Sequence, residues 1–296
     1  MEVPVYLVVH MDVAWEGWGP ADSTKGCGNP PADAEKLEAD LRKAIPFMLE
    51  QANGKFNLVP HSSTYCRDLT YREPFLSLYR TVVGNGGEIG VHTHEELVGT
   101  APLVQARGHM EAIILQKRDE LVNAGIQPTV FRMGMWAFDN CIPSILEKAG
   151  IEIDLTAAPG LERWYWHAHW QNAPNSAYYL CSQDYAHSDC SHPKSKVLEI
   201  PLGSDGLGDN TSKNFLYIDA APLAEIQRVW DAIIKRAESA REPQFVYALC
   251  NLFCMGRDDL MERLASFLQY AQSHGGVVVT PSEAKRTFDM LRSCEL

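Results

Sequence analysis

His10-Met11-Asp12 and His92-Thr93-His94 each place two metal-capable side chains two residues apart as an apolar run ends. In an extended strand residues i and i+2 project to the same side, so each pair can converge on one cation without distorting the backbone. Imidazole nitrogens and a carboxylate are the donors of hydrolytic divalent-metal sites, zinc first, with cobalt, nickel or manganese as alternatives. The spacing therefore predicts a metal centre drawn from Asp12, His92, His94 and His10, and with it a metal-dependent enzyme.

Such donors need rigid elements to hold them, and the chain supplies a regular alternation. Its hydrophobic pattern predicts a strand at about Val3–His10, a charged amphipathic helix from about Asp33 to Gln51 stopped by Asn53-Gly54, and a strand near Lys55–Pro60. A helix near Glu73–Val83 ends at Gly84-Asn85-Gly86-Gly87, and the strand Glu88–Thr93 follows. Next come a helix near Val104–Asn123, a strand at Thr129–Met133, a short helix near Ile142–Ala149 closed by Gly150, and a strand at Ile153–Thr156. Further strands are expected at Val197–Leu202, Gln244–Leu249 and Val277–Thr280, with helices near Ala221–Glu238 and Asp258–Ser273. No low-complexity linker and no internal repeat interrupts this order. It is the pattern of an α/β fold whose parallel sheet closes, or nearly closes, into a (β/α) barrel of seven to eight strands. Residues 1–296 read as one barrel domain with an aromatic-rich insertion at about 158–195. Barrel sites lie at the carboxyl ends of the strands. Both metal-capable pairs fall there, as do Arg132 to Trp136 after the fourth strand and Leu249-Cys250-Asn251 after the seventh.

Composition narrows the function. A hydrophobic fraction of 46% over 296 residues suffices for a large core. The formal charge of −12 argues against nucleic acid or an anionic membrane as partner, while leaving room for a nucleotide-linked sugar, which needs only a few local cations. Eight cysteines are scattered without a Cys-x-x-Cys pair, which predicts reduced thiols, with Cys250 and Cys254 as small buried ones. Met1-Glu2-Val3-Pro4 runs directly into a strand with no basic segment and cleavable apolar stretch, and no apolar run reaches membrane-spanning length, so a cytoplasmic chain is expected. Gly203-Ser204-Asp205-Gly206-Leu207-Gly208 is glycine-rich but lacks the lysine of a phosphate-binding loop.

Gly86-Gly87-Glu88-Ile89-Gly90-Val91-His92-Thr93-His94 is followed by Phe131-Arg132-Met133-Gly134-Met135-Trp136 and then Ile145-Leu146-Glu147-Lys148-Ala149-Gly150-Ile151, in the order and spacing of known motifs. Over its whole length the chain resembles the polysaccharide deacetylases of carbohydrate esterase family 4, the NodB-homology group. Its departures resemble a divergent branch associated with surface-polysaccharide and O-antigen sugars. The first stretch is similar to the motif that delivers metal-binding histidines, the second to the one whose arginine holds the catalytic carboxylate. His10-Met11-Asp12 takes the place of the first motif, with Val13 where a second aspartate would stand. The usual His-x-x-x-His would put its second histidine at Glu96, and Leu249-Cys250-Asn251 replaces Leu-x-His.

The resemblance implies metal-dependent removal of an N-acyl group, N-acetyl first, from an amino sugar or a nucleotide- or lipid-linked sugar in polysaccharide biosynthesis. Asp12, His92 and His94 would hold the divalent ion, with His10 as a fourth ligand and water in the open position. The catalytic set would be Asp12, Glu96 and Arg132. Glu96 or Glu95 would activate water, and Arg132 would orient a carboxylate through a two-pronged, charge-assisted bond. His61, His167 and His169 are candidates for the acid. Trp15, Trp18, Trp136 and Asn251 would contact substrate, and Trp164 to Trp170 could form a stacking wall, a core or a dimer contact. Expected partners are a small amino-sugar substrate and, as an open alternative, a second copy of the chain, with no nucleic acid and no membrane insertion. Glycoside hydrolysis pairing Asp12 with Asp205 or Asp209, and sugar binding without turnover, stay open as other functions.

Overall fold

A computed structural model describes residues 3–15, 33–64, 66–95, 103–188, 194–208 and 211–293. The central strand is β1 (Val5–Val13), a nine-residue run buried along nearly its whole length. Both of its faces are covered, which is why it reads as continuous Val, Leu and Met rather than as an alternation. On one side β1 pairs in parallel with β10 (Gln244–Asn251), from Val5 against Gln244 to Asp12 against Asn251. On the other, β11 (Gly276–Val279) takes its first half and β2 (Asn57–Pro60) its second, with His10 opposite Asn57.

The sheet continues in parallel through β3 (Glu88–Thr93), β4 (Val130–Met133), β5 (Ile153–Asp154) and β9 (Leu198–Glu199), with β8 (Tyr178–Tyr179) antiparallel on β9. It then curls back: the Tyr247 amide donates to the Pro201 carbonyl at 2.9 Å, and Gly203 donates to Tyr247 at 2.9 Å. Strands β1 to β5, β9 and β10 thus form the parallel (β/α) barrel wall, as the alternation predicts. The hairpin of β6 (Glu162–Arg163) and β7 (Ala168–His169) lies apart as a two-stranded sheet.

Among the described residues seven α-helices cover the wall: α1 (Ala34–Gln51), α2 (Phe75–Gly84), α3 (Arg107–Asn123), α4 (Ile142–Ala149), α5 (Leu223–Ala240), α6 (Asp258–Ser273) and α7 (Pro281–Ser293). Local chemistry sets their ends. Asp33 caps α1 by accepting from the amides of Glu35 and Lys36 at 3.0 and 3.1 Å. Gly150 ends α4 in the left-handed conformation (φ 70°) that suits glycine. Burial follows the helical period, as at Ile226, Val229, Trp230, Ile233 and Ala237 of α5.

The structure departs from the sequence reading in several places. β1 runs three residues beyond the predicted end at His10, so His10, Met11 and Asp12 are held within the ladder rather than on a loose strand end. Helix α7 and the β6–β7 hairpin were not anticipated. The aromatic segment divides its tasks, with Trp170 fully buried and Trp164 and Tyr165 exposed. Cys250 and Cys254 are buried free thiols, as expected, but Cys66 and Cys181 are disulfide-bonded. The prediction of uniformly reduced thiols is therefore corrected: scattered spacing hides pairs that only folding brings together. Among the described residues no helix is long and apolar enough to cross a membrane.

Where β5 meets β9, Asp154 and Glu199 stand opposite each other and fully buried. Thr156 donates to Asp154 at 2.7 Å, and the Ala157 amide donates to Glu199 at 2.9 Å. Burial raises both carboxyls, Asp154 to about 6, and Glu199 is raised further by the charge of Asp154. The folded chain therefore keeps a proton that the unfolded chain, with ordinary carboxyls, has already lost. Stability from this pair is present at low pH and is lost as pH rises through about 6 and beyond. We expect the thermal midpoint to fall as pH rises through about 6 and Glu199→Gln to flatten that decline; parallel profiles for the two proteins would refute the shared proton.

Candidate metal centre and active site

Three imidazoles converge at the carboxyl ends of β2 and β3. His61 follows β2, His92 lies in β3, and His94 follows it. Their candidate ligand atoms all lie within 4.8 Å of one another, and the rings are 4.6 to 5.9 Å apart. The His94 amide donates to the Ser62 carbonyl at 2.7 Å, tying together the two segments that carry the cluster. The register sets His92 opposite Arg132, and His92 Nδ1 donates to the Arg132 carbonyl at 2.8 Å. That bond leaves a lone pair on His92 Nε2, which is buried without a hydrogen-bond partner.

Charge state suits a cation as well. Burial pushes His61 and His92 well below the usual histidine range and His94 to about 3, assisted at His61 by its two neighbours and at His94 by Arg132. Neutral imidazoles are what a divalent ion requires. Three of them, with one nitrogen orphaned in the interior, fit a zinc-type ion. The cluster differs from the predicted ligand set: His61 joins His92 and His94 in it, while Asp12 and His10 lie outside it. Both ring nitrogens of His10 are engaged, Nδ1 with Asn57 Oδ1 at 2.6 Å and Nε2 with Asp12 Oδ1 at 2.8 Å. His10 therefore orients Asp12.

A glycine makes the close packing possible. A Cβ on Gly134 would fall 2.0 Å from His94 Nδ1, so any side chain there displaces the imidazole. Gly134→Ala is expected to weaken zinc binding roughly 10- to 100-fold while leaving the fold intact, measured by calorimetric titration. Unchanged affinity would remove His94 from the ligand set.

Asp12 stands beside the cluster with both oxygens held. His10 takes Oδ1, and Arg132 Nη1 approaches Oδ2 at 3.4 Å while donating to the Met133 carbonyl at 2.9 Å. Burial works against the charge of Asp12, but Arg132, His92 and His10 together outweigh it and hold this carboxyl far below the ordinary range. Asp12 is a fixed anion.

Asp12, His94 and Arg132 open on a cavity of about 420 Å³ whose wall includes Trp15, Trp136 and Asn251. Met135 and Trp136 adopt left-handed backbone (φ 51° and 60°), an uncommon conformation for such side chains, and this turn presents Trp136 to the cavity. Asn251 donates to Asp219 at 2.7 Å and to the Tyr217 hydroxyl at 3.2 Å. Glu96 and Trp18 lie outside the described residues. Glu95 cannot serve as the base, because it is fully buried and gripped by Arg67, with His109 at 2.6 Å. The two outer acid candidates are also occupied: His167 faces Asp139 at 3.5 Å and His169 faces Glu162 at 2.5 Å, and neither lines the cavity. Sequence reasoning missed Asn57, Tyr217 and Asp219, which carry no motif and enter only through contacts made by other strands.

Neither a family profile nor a curated protein sequence matches the chain. Solved structures do. A Mycobacterium smegmatis protein designated a candidate polysaccharide deacetylase aligns over 100% of this chain and 93% of its own, with TM-score 0.62 and 15% identity. A Pseudomonas aeruginosa PAO1 protein of similar designation aligns over 96% and 91%, with TM-score 0.57 and 14% identity. PuuE allantoinase aligns over 96% and 90%, with TM-score 0.58 and 15% identity. The chain thus has the polysaccharide-deacetylase barrel fold that its motifs resemble.

Proposed function

We propose that this protein is a metal-dependent amidohydrolase that removes an N-acyl group, acetyl first, from an amino sugar of surface-polysaccharide metabolism. One observation carries the reading: a carboxylate pinned by an imidazole and a guanidinium stands beside three convergent neutral imidazoles, and it opens with one of them, His94, on a single cavity. His61, His92 and His94 would hold the divalent ion. When bound, such an ion polarises an amide carbonyl and makes water acidic enough to attack near neutral pH.

Asp12 accepts the proton of the attacking water, kept in line by His10 and Arg132. The proton taken up in that step is then passed to the departing sugar amine. Water and amide then yield a carboxylic acid and a free amine. The phenol of Tyr217 accepts a hydrogen bond from Asn251, so its own proton is available to the oxygen that gathers charge in the cavity.

Glycoside hydrolysis finds less support. Asp205 is bound to Arg228 at 2.7 Å and does not line the cavity, and Asp209 lies outside the described residues. Sugar binding without turnover gives no account of Asp12 held as an anion beside three neutral imidazoles. The disulfides at Cys66 and Cys181 favour an oxidising compartment and so an extracytoplasmic glycan as substrate, in place of the cytoplasmic setting expected from the N-terminal segment and the lack of a long apolar run. The test is acid release from a panel of N-acetylated sugars by protein loaded with zinc, cobalt or nickel. Release that is lost in Asp12→Ala supports the reading, and no release at any loading overturns it.

A further inference from the structure

Arg163, on the β6–β7 hairpin, lines the same cavity. Its guanidinium carbon lies 5.4 Å from the centre of the Trp136 ring, and Arg132 lies over that ring at the same 5.4 Å. The two cations differ in what they face. Arg132 is committed to Asp12, whereas no carboxylate among the described residues pairs with Arg163. Glu162, its neighbour in the chain, is engaged by His169, and Asp12 in the same wall is engaged by His10 and Arg132.

A guanidinium with no carboxylate partner among the described residues is conspicuous in a chain of net charge −12, the more so beside the apolar part of the wall, Trp15, Leu161, Trp166, Phe215 and Phe253. Stacking on an indole fixes the plane of the guanidinium and strips water from one face, leaving its edge to bind a planar anion by two parallel hydrogen bonds. From this juxtaposition we infer that the substrate is an N-acylated compound bearing a carboxylate, bound by Arg163 beside the Trp136 ring in the same cavity as the hydrolytic centre. The inference rests on the reading of this cavity as a substrate site. A monoanion fits better than a diphosphate, because Arg163 and Arg132 are the only cationic side chains in the described wall and one of them is committed. Nucleotide-linked and diphosphate-lipid-linked sugars are correspondingly disfavoured.

The test compares 2-acetamido-2-deoxyglucuronic acid with its methyl ester, with N-acetylglucosamine and with UDP-N-acetylglucosamine. Binding is followed by tryptophan fluorescence and turnover by acetate release, on the full-length zinc-loaded protein and its Arg163→Gln and Arg163→Lys variants. The acid should bind roughly 10- to 100-fold more tightly than its ester, and the UDP-sugar no better than the neutral sugar. Arg163→Gln should abolish that preference without weakening the ester, and Arg163→Lys should restore only part of it. Equal binding of acid and ester by the unaltered protein, a preference that survives Arg163→Gln, tightest binding of the UDP-sugar, or no binding by the acid each overturns the proposal. The two readings fail separately. Acid-selective binding with no acetate released removes the deacetylase and leaves the carboxylate subsite, whereas acetate release indifferent to the carboxylate does the reverse.

Discussion

Asp12→Asn is expected to lower turnover by about 10³-fold or more while the protein retains its full zinc content. Asparagine keeps the shape of the side chain and can still meet His10 and Arg132, but it cannot take a proton from water. The described ligand cluster comprises His61, His92 and His94, with Asp12 beside it, so the ion should remain. Metal analysis alongside kcat decides between two roles. Loss of zinc with loss of activity would return Asp12 to the ligand set, as the motif resemblance implied, and the base would then have to come from elsewhere. Near-normal turnover would dismiss Asp12 from the chemistry altogether.

His61→Ala, His92→Ala and His94→Ala should each lose both metal and activity. The unaltered protein should gain about 2.7 kcal/mol of stability at a zinc concentration a hundred times its Kd, read as a rise in thermal midpoint, and the variants should gain none of it. His61→Ala is the most informative of the three, because spacing along the chain does not join His61 to the other two. If it binds zinc as the unaltered protein does, the site is a pair with some other third ligand. The metal-free protein gives a second readout. The folded pKa values of these histidines lie below the ordinary 6.5, so the unfolded chain takes up protons that the folded chain refuses. Their contribution is therefore present above about 6.5 and is lost as pH falls, reaching down to about 3 for His94. His94→Ala should soften that acid destabilisation, and an unchanged acid limb would count against the burial of a neutral imidazole there.

Much of this architecture is legible in the chain itself. Glu88–Thr93 and Ile142–Ala149 are found where the pattern places them, since a run of β-formers after Gly86-Gly87 and a helix closed by Gly150 are decided by near neighbours. His92 and His94 fall together because a strand's two-residue period is local, and Arg132 and Trp136 because a strand followed by a turn is local too. The same reasoning misjudged His10. It shares the period of Asp12, but which partner an imidazole takes depends on what lies across the ladder, and there Asn57 accepts one side while Asp12 occupies the other.

The sequence by itself settled the alternation of strand and helix, the side to which each pair of donors points, and the end of the barrel at which they emerge. Only the folded chain decided that His61 completes the cluster, that Glu95 is spent on Arg67 and His109, and that Asp154 meets Glu199. Period and capping are enforced within a few residues. Convergence depends on strand order and register between segments tens of residues apart, and on which of several competing partners lies within reach once the barrel has formed.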